Sequence, residues 1–246
     1  MTPTCEVRRL GRVPYAEAWA LQKRLAAQRA AGQIPDTLLL LEHPPTYTLG
    51  RSGHAANLLL SEAELAARGI ALHWVDRGGD ITFHGPGQLV GYPLLALGAV
   101  VDTAGRLPQA DYIGFVRQLE ETLIRAVARF GLVTGQVKGL TGVWVQPDVA
   151  SRCVHCPPAA RRAPAKLAAI GVKVDARGIS QHGFALNVDP DMAYWDGIIA
   201  CGLRDHAPIS LADLLDPAPS LPAVADAVVS LFGEVFARRM VERPPE

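Results

Sequence analysis

The stretch RGGDITFHGPGQLVGYP, residues 77–93, contains five glycines and two prolines among runs of strand-forming residues. ITFH and LVGYP are typical of short strands separated by a glycine turn. A Walker phosphate loop requires a Gly-Lys-Ser/Thr triplet, which the sequence lacks, and the GPG segment leads into a strand instead of a helix. Glycines also let a slender ligand lie against the backbone, with Thr82, His84 and Gln88 on one strand face. The alternative is a tight hairpin in which the glycines serve turns only.

Helix and strand signals alternate on both sides of this stretch. The helical segments lie between Pro14 and Gly32, and at 62–68, 111–130, 210–215 and 222–240, while the strand-like segments are 37–43, 72–76, 81–84, 89–93, 142–145, 167–174 and 179–188. This order predicts an α/β fold of the α+β type, with a mixed sheet flanked by helices. We expect a catalytic domain over residues 1–205 and a small C-terminal helical subdomain over 206–246, with only helices after residue 205.

Composition excludes several function classes. The chain has 246 residues, 49% of them hydrophobic and 20% charged, and its 24 basic residues balance 24 acidic ones. A neutral balance argues against a nucleic-acid groove or a polybasic membrane surface. No apolar run approaches the ~20 residues of a membrane span, and the start lacks the apolar block of a signal peptide. Four cysteines are too few for a disulfide framework, so we expect a cytoplasmic protein with reduced thiols.

Several separated motifs, in one order, carry a family resemblance. Besides residues 77–93 they are LLLLEHPPTYTLGR (38–51), KLAAIGVKV (166–174), HGFALNV (182–188) and ACGL (200–203). Together they resemble the octanoyltransferases, also called lipoate-protein ligase B, over about residues 10–205. The resemblance implies a fold similar to the catalytic domain of biotin and lipoate protein ligases. It also implies transfer of an octanoyl group from octanoyl-acyl carrier protein to a lysine of lipoyl domains, without a cofactor.

The same resemblance assigns roles to individual residues. Cys201 becomes the nucleophile and Lys166 its partner, although a lone Cys is more often a small buried hydrophobe and a Lys more often a solvated charge. A thiol with an ordinary pKa of ~8.5 needs such a cationic neighbour to ionise at neutral pH. The acyl chain is expected to contact Arg77, Gly78, Gly79, Asp80, Ile81, Thr82, Phe83, His84, Ala169, Ile170, Gly171, Gly183, Phe184 and Ala185. His84 and His182 either orient the reacting groups or are satisfied inside the fold. The expected partners are acyl carrier protein, lipoyl domains of 2-oxoacid dehydrogenase E2 subunits and the glycine cleavage H protein, with no nucleic acid and no membrane.

The segment around Cys153, His155 and Cys156 is a weak candidate for a metal site. Its spacing suits zinc, but a structural zinc takes four ligands and the sequence shows no fourth. The same loop carries Arg161 and Arg162, which suit either an acidic carrier or a solvated loop.

Two enzymatic alternatives and one non-enzymatic alternative stay open at this point. The first is an ATP-dependent lipoate or biotin ligase, which forms an acyl-adenylate. The second is octanoyl transfer between two lipoyl domains. The third is a module that binds acylated carriers without catalysis, and it differs from the others in forming no covalent adduct on Cys201.

Overall fold

The computed structural model describes residues 2–98, 111–151, 153, 156–203 and 205–243. The strands are β1 (Thr4–Arg12), β2 (Asp36–Glu42), β3 (Thr46–Leu49), β4 (Ala71–Trp74), β5 (Ile81–His84), β6 (Gln88–Leu94), β7 (Gly135–Val137), β8 (Leu140–Val145), β9 (Ala165–Val174), β10 (Ser180–Asn187) and β11 (Arg239–Glu242). The helices are α1 (Tyr15–Ala30), α2 (Glu62–Ala67), α3 (Tyr112–Ala128), α4 (Pro147–Ala150), α5 (Leu211–Leu214) and α6 (Leu221–Val235).

Two sheets organise these elements. The large one has the order β11-β1-β2-β6-β10-β9-β8-β7, and the small one has the order β4-β3-β5. Strand β1 pairs in parallel with both β2 and β11. The neighbouring pairs β2–β6, β6–β10, β10–β9 and β9–β8 are all antiparallel. The predicted mixed sheet flanked by helices is therefore confirmed.

Helices cover both faces of the large sheet. On one face α3 and α6 pack together, and residues such as Leu123 and Phe232 are fully buried against Val143 and Leu167 of the sheet. On the other face α1 buries Leu25 against Val90 and its neighbours. This second face also meets the small sheet, so the space between the sheets lies beside α1.

Local sequence signals account for several helix ends. The Ser61 hydroxyl accepts the Glu64 backbone N–H while the Glu64 carboxylate accepts the Ser61 N–H, which is the predicted capping box. Ser210 forms the same arrangement with Asp213 at α5, and the Ser220 side chain caps α6. The structure has a helix in each of the two C-terminal segments predicted to be helical, but α6 ends at Val235, so the predicted extension of this helix to residue 240 is wrong.

The C-terminal part contains more than helices. Strand β11 follows α6 and pairs in parallel with β1, so the expectation of only helices after residue 205 is wrong. Side chains of α6 also lie in the same hydrophobic cluster as those of α3 and the large sheet. A domain boundary at residue 205 stays a prediction. Within the described residues, no helix combines the length and apolarity that crossing a bilayer requires.

Candidate active site

A cavity of about 210 Å³ lies between the β9–β10 pair of the large sheet and strand β5 of the small sheet. Residues from all three predicted substrate-binding segments line it. They are Arg77, Gly79, Asp80, Thr82 and His84 of the first segment, Ala169, Ile170 and Gly171 of the second, Gly183, Phe184 and Ala185 of the third, and also Lys166 and His182. The fold thus brings together most of the residues that the sequence singles out.

Three of the predicted residues do not line the cavity. Ile81 and Phe83 alternate with Thr82 and His84 along β5, and they are fully buried in the core of the small sheet on its opposite face. These two side chains therefore do not line the cavity, and contact of the segment 77–84 with an acyl chain stays a prediction. Gly78 joins the two sheets instead, because its N–H donates to the carbonyl oxygen of Val172 in β9 at 3.0 Å.

Two glycines of the cavity make room for other parts of the protein. A Cβ on Gly171 would lie 2.9 Å from the carbonyl oxygen of Gly78 and 3.1 Å from Cδ of Arg77. A Cβ on Gly183 would overlap the carbonyl oxygen of Gly91 on the neighbouring strand. Close packing of the protein itself therefore requires glycine at both positions, and contact with an acyl chain stays a prediction.

The guanidinium of Arg77 holds the turn that precedes β5. Its side chain is buried and donates to the carbonyl oxygens of Thr48 and Asp80, both at 2.7 Å, and to that of Gly78 at 2.9 Å. These bonds fix a cationic group beside the cavity, between the two sheets.

Asp80 connects this turn to the segment that contains Cys201. The Asp80 carboxylate accepts a hydrogen bond from the Asn57 side chain at 2.5 Å, and the Asn57 carbonyl accepts the backbone N–H of Ile199 at 2.8 Å. The 3-10 turn Ala200–Gly202 follows directly. The backbone of Cys201 is thereby tied to the edge of β5, while its side chain lies outside the described part of the chain.

Lys166 reaches the cavity from the start of β9. It pairs with Trp144 of β8, and its Nζ lies 4.7 Å from the centroid of the Trp144 ring, within the range of a cation–π contact. Ala200 and Leu203, which lie on either side of Cys201, line a small adjoining pocket together with Lys166. The two predicted catalytic residues therefore belong to neighbouring segments.

A hydrogen-bonded group of tyrosines and histidines lies at the other end of the cavity, and of its members only His182 is among the residues predicted from the sequence. The His182 Nε2 donates to the Asp76 carboxylate at 2.8 Å, and the His182 Nδ1 lies 3.4 Å from the Tyr15 hydroxyl. The Tyr92 hydroxyl donates to the His43 Nε2 at 2.7 Å, because the His43 Nδ1 already donates to a backbone carbonyl. For the other members of this group, the sequence offered two signals: His43 ends the strand-like run 37–43, and Asp76 directly precedes the glycine stretch.

Burial fixes the charge of these groups. It lowers the pKa of His43 to about 4, and it also lowers the pKa values of His84 and His182 below the usual range. The hydrogen bond from His182, followed by the ion pair with Lys173 at 2.5 Å, lowers the pKa of Asp76. At neutral pH the cavity therefore meets neutral imidazoles, with a charged carboxylate behind one of them.

The cysteine pair at 153 and 156 differs from expectation. The structure joins Cys153 and Cys156 in a disulfide, so the expectation of reduced thiols is wrong for this pair. Among the described residues, no group of three or more His, Cys, Asp or Glu side chains is arranged to hold a metal ion. His155 lies outside the described residues. Arg161 and Arg162 are exposed, as either reading of the loop requires.

Comparison with solved structures agrees with the fold. An archaeal bipartite lipoate protein ligase from Thermoplasma acidophilum superposes with a TM-score of 0.67, covering 98% of this chain and 88% of that chain at 16% identity. A lipoate-protein ligase A bound with ATP gives a TM-score of 0.63, covering 99% and 90% at 15% identity. At such identities the likeness concerns the fold alone.

Sequence comparison goes further. Residues 14–233 match the model of the lipoyl protein ligase A/B catalytic domain. The octanoyltransferase of Chloroflexus aurantiacus strain J-10-fl is 48% identical over 234 residues, covering 95% of each chain. That of Rubrobacter xylanophilus is 45% identical over 233 residues, covering 94% of this chain and 93% of its own. The chain therefore belongs to the octanoyltransferase family and is an acyltransferase of lipoate biosynthesis.

Proposed function

We propose that the chain moves an octanoyl group from octanoyl-acyl carrier protein to a lysine of a lipoyl domain through a thioester on Cys201, with Lys166 as the acid–base partner. The observation that carries this proposal is the pocket shared by Lys166, Ala200 and Leu203, beside a cavity of acyl dimensions. It supports a thiol and an amine acting at the same place.

In the first half-reaction the Cys201 thiolate attacks the carbonyl carbon of the donor thioester. A carbon–sulfur bond to Cys201 forms, the bond to the carrier's pantetheine sulfur breaks, and that sulfur takes up the proton that the Cys201 thiol has lost. The Lys166 ammonium stabilises the thiolate before the attack, and the ring of Trp144 supports that positive charge. Exchange of one thioester for another is nearly balanced in free energy.

In the second half-reaction a neutral lysine amine of the lipoyl domain attacks the acyl-enzyme. A carbon–nitrogen bond forms, Cys201 leaves as a thiolate, and Lys166 in its neutral form takes the proton that the attacking nitrogen loses. Formation of an amide from a thioester runs downhill. The proposed reaction therefore requires no nucleotide, in contrast to that of an ATP-dependent ligase.

The proposed acceptors are the lipoyl domains of 2-oxoacid dehydrogenase E2 subunits and the glycine cleavage H protein, and the proposed location is the cytoplasm. The family membership supports an acyl donor and a lipoyl-domain acceptor. The exposed Arg161 and Arg162 supply positive charge that suits an acidic carrier.

The test is intact-mass analysis after incubation with octanoyl-acyl carrier protein and no ATP. We expect the unaltered protein to gain the mass of one octanoyl group. Cys201→Ser should gain none in the time that the unaltered protein needs to form its thioester. Lys166→Arg keeps a cation but cannot give up its proton, so we expect it to form the acyl-enzyme while transfer to a lipoyl domain falls by about 10²–10⁴-fold.

Cys5→Ala is the matched control. Cys5 lies buried in the large sheet, and burial raises the pKa of its thiol to about 12, so its removal should leave the adduct unchanged. Octanoyl transfer that proceeds at an unchanged rate in Cys201→Ser, or only when ATP is added, would refute the proposal.

A further inference from the structure

The cavity is open at one end and closed at the other. Gly79, Gly139 and Thr141 are exposed lining residues and mark the mouth. The opposite end, here called the blind end, consists of Tyr15, His84, Tyr92 and His182, which are between 1% and 6% exposed. A chain that enters at the mouth therefore stops at a set of buried rings.

The distance from the reacting segment to the blind end can be read along β5. A Cβ on Gly202 would lie 3.1 Å from the Asp80 carboxylate, so the segment of Cys201 sits beside Asp80. Asp80 and His84 are four residues apart, which at ~3.3 Å per residue is about 13 Å. His182 lies at the same end of the cavity as His84, because Tyr15 contacts both: its ring centroid is 5.7 Å from that of His84, and its hydroxyl is 3.4 Å from the His182 Nδ1. An extended eight-carbon acyl chain, with C–C bonds of ~1.5 Å, is about 9 Å long. The remaining ~4 Å equals one van der Waals contact between the terminal methyl group and a ring.

Within the blind end, His182 forms the wall between the cavity and solvent. Its side chain is 1% exposed, but the Asp76 carboxylate behind it is 35% exposed and the Lys173 side chain is 29% exposed. The bond from His182 to Asp76 at 2.8 Å and that from its backbone N–H to the Gln22 side chain at 2.7 Å hold the residue in place. Removing the imidazole would therefore extend the cavity toward this half-exposed ion pair.

The backbone of His182 is strained. Its φ of +57° lies in the left-handed region, although it sits inside β10 and is not a glycine. This conformation is energetically unfavourable for a non-glycine residue, and such residues cluster at active sites and ligand-binding sites. Glycine and asparagine adopt this conformation most easily, so His182→Gly and His182→Asn relieve strain while they remove the ring.

We propose that His182 is a specificity-determining residue, whose ring limits the length of the acyl chain to about eight carbons. This inference rests on the proposed function, because it assumes that the acyl chain occupies the cavity. Asp76 and Lys173 act as positioning residues that keep the ring in place.

The experiment compares octanoyl-, decanoyl- and dodecanoyl-acyl carrier protein as donors, and measures both the acyl-enzyme and the acylated lipoyl domain. The unaltered protein should discriminate against the two longer donors. Each methylene that becomes buried is worth about 4-fold, so His182→Gly should raise the decanoyl-to-octanoyl rate ratio by up to about 15-fold. His182→Asn, which keeps a polar side chain near Asp76, should raise it less.

Ala237→Gly is the matched control, since Ala237 is also a non-glycine residue with positive φ, of +50°, but lies after α6 and does not line the cavity. Circular dichroism reports whether each variant folds, and if His182→Gly does not fold, His182→Asn decides. An unchanged rate ratio in the folded variants, or equal use of the three donors by the unaltered protein, would overturn the inference. Absence of acylation with every donor would instead refute the proposed function, so the two failures can be told apart.

Discussion

Acidification should begin to destabilise this protein at pH values well above those at which its carboxylates titrate. His43 is the clearest cause. The imidazole is fully buried, its Nδ1 donates to a backbone carbonyl at 2.7 Å, and its Nε2 accepts from the Tyr92 hydroxyl at 2.7 Å. Protonation would give Nε2 a hydrogen and break the bond from Tyr92. Burial accordingly lowers the pKa of His43 to about 4.

The sign and size of the effect follow from this depressed pKa. Below pH ~6.5 the unfolded chain binds a proton at this position that the folded protein refuses until about pH 4. The stability contributed by neutral His43 is therefore complete above pH ~6.5 and is lost as the pH falls through this interval. At 1.36 kcal/mol per pKa unit, the loss is about 3 kcal/mol for this one residue.

The measurement is urea unfolding of the unaltered protein and of His43→Gln between pH 4 and 7.5. Glutamine offers a donor and an acceptor but does not titrate, so we expect its free energy of unfolding to fall by about 3 kcal/mol less on acidification. For a chain of this size that corresponds to a difference of roughly 1 M in the urea midpoint. His54→Gln, at an exposed position, is the control and should follow the unaltered protein. His43 also contributes to the lowered pKa of its neighbour His84, so His43→Gln reduces the acid sensitivity of both residues. Parallel curves for the unaltered protein and His43→Gln would refute the reasoning.

Two further substitutions test the site, and a third tests a buried hydrogen bond between α3 and β8. Trp144→Leu removes the ring beneath the Lys166 ammonium and should slow acyl-enzyme formation by about 3–30-fold, whereas Trp144→Phe should slow it less; time-resolved intact-mass analysis measures both. Gly171→Ala places a Cβ 2.9 Å from the Gly78 carbonyl oxygen and 3.1 Å from the Arg77 Cδ. Thermal unfolding should show a loss of about 1–3 kcal/mol of stability, and steady-state kinetics should show a raised KM for the donor. Glu120→Ala leaves the Gly142 N–H, which now donates to the buried carboxylate at 2.9 Å, without its partner; chemical denaturation should report a loss of about 1–3 kcal/mol.

Local signals predicted much of the fold, and non-local pairing explains what they missed. The capping box at Ser61, the helix that ends before Gly131 and the strands around the glycine turns depend on neighbouring residues, so a single sequence reveals them. Strand β11 is four residues long and begins shortly after the end of α6. Only its parallel pairing with β1, at the other end of the chain, makes it a strand. No periodicity in such a short segment indicates that partner.

The site shows the same division between local and distant information. Alternation along β5 is a local rule, and applied to the whole stretch it assigns Thr82 and His84 to the cavity and Ile81 and Phe83 to the core. The contact of His182 with Asp76 joins residues 106 positions apart, and that rule cannot supply it. The family resemblance supplied the predicted acyl-binding segments, including His84 and His182, but not Tyr15, Tyr92, His43 or Asp76.

The chemistry of the blind end is compatible with the proposed binding of an apolar chain, although its residues are polar. His84, Tyr92 and His182 direct hydrogen-bonding atoms at other protein groups, and burial keeps the imidazoles neutral, so an acyl chain in the proposed position would meet ring surfaces. A hydroxylated or charged chain end would either stay unsolvated there or break one of these bonds, at a cost of about 1–3 kcal/mol or more. Thr82 differs, because its buried hydroxyl has no hydrogen-bond partner among the described residues, and it lies two positions from Asp80, nearer the reacting segment. If the acyl chain occupies the cavity as proposed, polar groups can be satisfied near its carbonyl end and are disfavoured at its methyl end, as a saturated acyl group attached through a thioester requires.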